Sequence, residues 1–97
     1  MPSIDRAHLK DLLQAEEQKF LHEHPSSSRL YQQARRSMQA GVPMLWMIRW
    51  AGSFPIFVKE AKGAHFTDVD GRRYIDFCLG DTGAMTGHSP DATLQAI

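Results

Sequence analysis

The sequence holds a single cysteine, Cys78, so no internal disulfide can form, which fits a reducing compartment. The residue falls in a run that reads as a strand, where a small buried thiol is the ordinary reading over a reactive one. Charge of one sign is also lacking. Eleven acidic residues balance eleven Lys and Arg, so no basic footprint for nucleic acid or an acidic membrane stands out. No apolar run approaches the roughly 20 residues of a membrane span. The opening Met1-Pro2-Ser3-Ile4-Asp5 lacks the basic-then-apolar order of a signal peptide. Internal repeats and long low-complexity tracts are missing too, Ser26-Ser27-Ser28 being too short to count as one. These absences describe a soluble, cytoplasmic chain with neither nucleic acid nor membrane as partner. Its 97 residues suffice for one small domain at most. The five histidines are scattered over different elements, only His22 and His24 being near neighbours, and this argues against a metal site.

What is present falls into three segments. Residues 1–41 read as helical. Ser3 can cap a helix running to about His22, with Leu9, Leu12, Leu13, Phe20 and Leu21 on or near one face and Lys10, Asp11, Glu16, Glu17 and Lys19 on the other. Such a helix needs something to lie on, either a partner at an interface or the chain's own hairpin. His24-Pro25 ends it, because the residue before a proline is pushed from helical angles, and the serines then cap a second helix from about Arg29 to Met38. Gly41 stops that helix and Pro43 keeps it stopped. Residues 42–56 form an irregular apolar segment in which Met44, Leu45, Trp46, Met47, Ile48 and Trp50 surround one charge, Arg49. That is more apolar surface than a solvated loop should hold, so the segment is buried against other protein or lines a pocket.

Residues 57–97 carry the clearest pattern: hairpin sheet, then the start of a helix, in one incomplete domain. Phe57-Val58-Lys59-Glu60 and His65-Phe66-Thr67-Asp68-Val69 are two short strands around a turn at Gly63. Asp70-Gly71 suits the positive φ angles of a type I′ turn, and Tyr74-Ile75-Asp76-Phe77-Cys78 is the returning strand. Leu79 to His88 follows, with three glycines among small residues that let the backbone turn sharply or approach something closely. Ser89-Pro90-Asp91 then supplies an N-cap hydroxyl, a first-position proline and an acid at the positive helix end. Asp68, Asp70 and Asp76 alternate along the hairpin, but Asp70 is explained by its turn, and the order is not that of an EF-hand.

The order G-A-x-x-x-D-V-D-G-x-x-Y-I-D-F, a small-residue loop, and then G-H-S-P resembles the N-terminal part of class-III aminotransferases. These are pyridoxal-phosphate-dependent enzymes of fold type I, and the branch most similar contains glutamate-1-semialdehyde aminomutases and β-amino-acid or aromatic aminotransferases. The resemblance covers roughly Ala34 to Ile97 and rests on three motifs in the right order. It implies an α+β piece, with N-terminal helices and a small antiparallel sheet, inside an α/β parent.

The resemblance also implies where the chemistry lies. The Schiff-base lysine, the aspartate under the cofactor ring and the phosphate donors all come later in that family than this chain extends. None of Lys10, Lys19, Lys59 and Lys62 takes the first role, so pyridoxal 5'-phosphate belongs to the parent and the chain alone is not catalytic. What the segment can contribute is substrate recognition. The 42–56 segment of the family commonly carries an arginine for the substrate carboxylate. Here Met44 and Met47 fall where the aminomutase pattern has polar and basic residues, and Arg49 is displaced by two, so that it either serves through a shifted loop or is an ordinary surface or ion-paired arginine. Trp46 belongs to the same surface. The loop after the Y-I-D-F strand faces substrate in the family, which puts Asp81 and Thr82 against a donor at the substrate's far end; alternatively Asp81 only organises its own turn. His88 is read as structural, its ring bonding a backbone group near the helix start, rather than as a general base.

The implied parent reaction is amino-group transfer between a small amino donor and an oxo-acid acceptor, in a homodimer whose N-terminal helix lies at the interface. The missing aminomutase residues tip the reading towards a transaminase, with the 2,1-aminomutase as alternative. A non-catalytic interaction module using the Trp46 to Trp50 surface is the reading from another class.

Overall fold

A computed structural model describes residues 3–49, 52–80 and 83–97. The chain divides into two compact units, residues 1–55 and 56–97.

The first unit is built from two helices, α1 (Arg6–Glu23) and α2 (Pro25–Ala34), and two short 3₁₀ turns, Gln39–Gly41 and Leu45–Ile48. The cap of α1 is Asp5 rather than Ser3. Its carboxylate accepts the N–H groups of Ala7 and His8, both at 3.0 Å, and adds a negative charge at the positive helix end. α2 begins four residues before the expected Arg29, because Pro25 is at home in the first helical position, where its missing N–H is no loss. The serines therefore lie inside the helix, and Ser27 is fully buried.

The core of this unit is a small aromatic cluster. Phe54 lies 5.0 Å from the Phe20 ring and 6.2 Å from that of Tyr31, centroid to centroid. His24, buried between the helices, sits 4.4 Å from Phe20, with Nδ1 2.8 Å from the Phe20 carbonyl oxygen. Burying a ring such as Phe54 is worth roughly 2–3 kcal/mol. Val42 and Ala34 complete the cluster. The chain crosses α2 at Gly41, φ 71°, where a Cβ would stand 2.8 Å from Tyr31 Cε2 and 2.9 Å from Arg35 Cγ, so only glycine fits. The leucine stripe of α1 remains bare, with Leu9, Leu12 and Leu13 at least half exposed.

The second unit is a three-stranded antiparallel meander, β1 (Val58–Lys62), β2 (His65–Asp68) and β3 (Arg73–Ile75), followed by α3 (Asp91–Ala96). The α+β composition and antiparallel sheet are those expected. Pairing sets Phe66 opposite Tyr74 and Ala61 opposite Phe66, and the two rings stack at 4.8 Å.

The turn between β2 and β3 differs from the type I′ expectation. Of Asp70 and Gly71 only Gly71 has positive φ, 85°, and the Gly71 N–H donates to the Asp68 carbonyl at 3.0 Å while the Asp68 N–H donates to Arg72 O at 2.9 Å. This is a three-residue loop, a type I turn closed by a left-handed glycine. Its organiser is Asp68, which is fully buried: Oδ1 accepts from the N–H groups of Asp70 (3.0 Å) and Arg72 (2.8 Å), and Oδ2 from the Tyr74 hydroxyl (2.9 Å).

β3 ends at Ile75 instead of Cys78, leaving Cys78 and Phe77 exposed. Beyond it, His88 pairs with Gly63 through two backbone bonds, His88 N–H to Gly63 O at 2.8 Å and Gly63 N–H to His88 O at 3.0 Å. The contact is so close that a Cβ on Gly87, φ 90°, would lie 3.2 Å from Gly63 Cα. Ser89 is left-handed (φ 48°) and does not cap α3. Pro90 occupies that position, and Lys62 secures the helix start by donating to Ser89 O at 2.7 Å and to the Asp91 carboxylate.

Candidate functional site

Asp76 has a backbone role and a side-chain role. Its N–H still donates to Ala64 O, at 2.7 Å, so the backbone is in sheet register. Its side chain then ends the strand: Oδ1 accepts the N–H groups of Cys78 at 3.0 Å and Leu79 at 2.8 Å, an Asx turn that folds the chain away from the sheet. Oδ2 lies 2.6 Å from His88 Nε2, twelve residues on. His88 thus bonds a side chain and not, as expected, a backbone group through its ring. The pair is largely sheltered, 14% and 23% exposed for Asp76 and His88 respectively. Its hydrogen bond to His88 chiefly, then the Leu79 N–H, hold the Asp76 carboxyl below its ordinary value of 3.8; desolvation opposes them, and the Cys78 N–H and the charge of His88 add to the lowering.

Between these two residues runs the small-residue loop. It leaves through two consecutive left-handed residues, Leu79 (φ 51°) and Gly80 (φ 63°), and returns through Gly87 (φ 90°) and Ser89 (φ 48°). A left-handed non-glycine residue costs roughly 1–2 kcal/mol, so Leu79 and Ser89 keep that backbone only because their surroundings impose it. Internal bonds from Ala84 N–H to Leu79 O (3.0 Å) and Gly87 N–H to Ala84 O (2.9 Å) complete the frame.

Of the residues assigned to substrate, Asp81 and Thr82 lie outside the described residues. Trp46 and Arg49 share one 3₁₀ turn, where the Arg49 N–H donates to Trp46 O at 3.2 Å. Both side chains are exposed, as are Met44, Leu45 and Ile48, so the apolar run presents a surface. Lys10, Lys19, Lys59 and Lys62 are exposed, and Lys62 is engaged at the start of α3. Among the described residues no three His, Cys, Asp or Glu side chains gather as metal ligands, and no helix is long and apolar enough to cross a membrane. The sheet carries a groove of about 240 Å³ whose lining mixes the charged Glu60, Lys62 and Arg73 with His65, Thr67 and the apolar Ala61 and Phe66.

No family model matches the chain. Individual proteins do. The solved structure of a glutamate-1-semialdehyde aminomutase from Pseudomonas aeruginosa superposes on 96% of the chain with a TM-score of 0.85 and 44% identity. The chain belongs to the pyridoxal-phosphate-dependent transferases of fold type I. A β-phenylalanine aminotransferase from Variovorax paradoxus, of the same fold type, matches 90% of the chain at a TM-score of 0.78 and 28% identity. Among curated relatives, the glutamate-1-semialdehyde 2,1-aminomutase of Thermoplasma volcanium is 41% identical over 73 residues, or 74% of the chain. The chain spans 17% of that relative and 20% and 21% of the two solved fold-type-I chains, matching the N-terminal part of the family. One of the Pseudomonas structures is a complex with PMP.

Proposed function

We propose that this chain is the N-terminal portion of a class-III, pyridoxal-phosphate-dependent aminotransferase that moves an amino group between a small amino compound and an oxo acid. The observation that carries the reading is the 44% identity over 96% of the chain to a fold-type-I enzyme. Anchoring of the cofactor is assigned to the remainder of the polypeptide, as the family resemblance implies. The segment's own work is on the substrate. Arg49 pairs with a substrate carboxylate, Trp46 offers a flat apolar wall beside it, and Asp81 with Thr82 accept a donor at the substrate's far end. The bare leucine stripe of α1 supports a homodimer in which that stripe is covered. In organisation, residues 1–41 serve as a helical segment, 42–56 as a substrate-side segment, and 57–97 as part of a small domain. We place the enzyme in the cytoplasm.

A second reading, the glutamate-1-semialdehyde-type 2,1-aminomutase, is favoured by the names of the curated relatives in Thermoplasma volcanium and Methanocella arvoryzae, each 41% identical. Against it stand Met44 and Met47 in place of polar and basic residues.

The test uses the full-length polypeptide that carries this segment. The purified enzyme is expected to show the visible absorption of bound cofactor and to consume an amino donor in step with an added oxo acid. Conversion of glutamate-1-semialdehyde without any second substrate selects the aminomutase. Purified full-length protein that neither binds pyridoxal phosphate nor turns over either substrate overturns both readings and leaves a non-catalytic module.

A further inference from the structure

The Asp76–His88 pair joins the two ends of the loop that leaves the sheet at Leu79 and returns at Gly87. The 2.6 Å contact lies at the base of that loop, and the same carboxylate holds the N–H of Leu79, the first left-handed residue, at 2.8 Å. On the other side His88 is fixed by its two backbone bonds to Gly63, where Gly87 and Gly63 meet backbone to backbone. One carboxylate and one imidazole therefore determine both where the chain departs and where it returns, at points where the backbone would not choose its conformation unaided.

We propose that Asp76 and His88 are positioning residues for substrate binding in the parent enzyme, setting the geometry of the loop between them without touching the reacting atoms. The proposal rests on the reading that this loop faces substrate. A merely structural pair would lower the fraction of folded enzyme and leave the properties of the active fraction unchanged. A positioning pair changes how well each folded molecule binds substrate.

The experiment compares the full-length holoenzyme with its His88→Ala, His88→Gln and Asp76→Asn variants. Steady-state kinetics with the amino donor are normalised to cofactor content read from the visible band. Loss of a hydrogen bond to a charged group predicts that His88→Ala raises KM for the donor about tenfold, with kcat per bound cofactor changed much less. His88→Gln keeps an N–H donor near Nε2 and restores most of the loss. Asp76→Asn keeps an oxygen for the Cys78 and Leu79 N–H groups but loses the charge facing His88, and falls between the two. If His88→Ala does not fold, the Gln and Asn variants carry the comparison. Unchanged KM in folded, cofactor-loaded variants overturns the proposal, as does a loss confined to folded yield. A parent enzyme without cofactor or activity overturns instead the functional reading beneath it, and the proposal with it.

Discussion

Replacing Asp68 tests most directly how the second unit is held together. The carboxylate is fully buried and accepts from two turn N–H groups and from the Tyr74 hydroxyl. Asp68→Ala strands all three donors. The two N–H groups belong to a surface turn and regain water in part, so each bond is counted at a net value of about 1 kcal/mol, and the three together give about 3 kcal/mol. Asp68→Asn keeps Oδ1 for the backbone donors and turns its amide towards Tyr74, whose hydroxyl can accept instead; the cost is then about 1 kcal/mol. Hydrogen exchange followed by mass spectrometry on peptides covering β2 to β3 reads this locally. At 1.36 kcal/mol per decade, the Ala variant is expected to exchange about a hundredfold faster than the parent and the Asn variant about fivefold faster. Ala exchange within about threefold of the parent would refute the view that this carboxylate, rather than the Asp70-Gly71 pair, sets the turn.

Further outcomes follow from other contacts. The Asp76 carboxyl titrates below its ordinary 3.8, so its stabilising effect is complete above the unfolded value and disappears as pH falls through the lowered folded value. Denaturation midpoints followed downward from pH 5 should therefore fall more gently below about pH 4 in Asp76→Asn than in the parent. Gly41→Ala combines a left-handed backbone with a Cβ inside the Tyr31 ring contact, whereas Gly71→Ala meets nothing within 4 Å and suffers the backbone strain alone. Thermal melts should rank Gly41→Ala clearly below Gly71→Ala, with the latter costing about 1 kcal/mol. Lys62→Met removes an ion pair whose side chains are 60% and 80% exposed, and the melting temperature should move by the equivalent of less than about 0.5 kcal/mol. Arg49→Met in the full-length enzyme should raise KM for carboxylate-bearing substrates by about tenfold or more while leaving cofactor absorption unchanged, with Arg49→Lys intermediate.

The parts of the fold legible in the sequence were those fixed by neighbours in the chain. Alternating apolar and aromatic residues from Val58 to Ile75 were enough for an antiparallel meander, since pairing across short turns needs only local order. Helix limits were less legible, because Ser3 and Asp5 both precede α1 and composition alone does not choose between them; the carboxylate prevailed as the stronger acceptor. The organising role of Asp68 is harder to read from the sequence, because Asp70-Gly71 offers a sufficient account of the turn by itself. A signal was available, however: position 68 shares a sheet face with Phe66, and an acid on the covered face needs donors. The Asp76–His88 contact had no such signal. Twelve residues separate the partners, and only the return of the chain to Gly63 brings them together. Ser89 was misread as a cap for a related reason, since the same return forces it into a left-handed conformation that no cap adopts. The apolar run from Met44 to Trp50 showed its composition but not its surroundings, and Met44, Leu45, Trp46 and Ile48 are exposed.

The meeting of Gly63 and Gly87 makes two superficially equivalent positions unequal in what they accept. A side chain added at Gly63 would find open space, and φ 57° there is within reach of asparagine. At Gly87 the added atom points straight at the opposite main chain, which cannot swing aside as a side chain would. A saturation library of this segment should therefore return asparagine or aspartate among functional clones at 63 and wild type alone at 87, an asymmetry written into main-chain spacing and independent of what the enzyme acts upon.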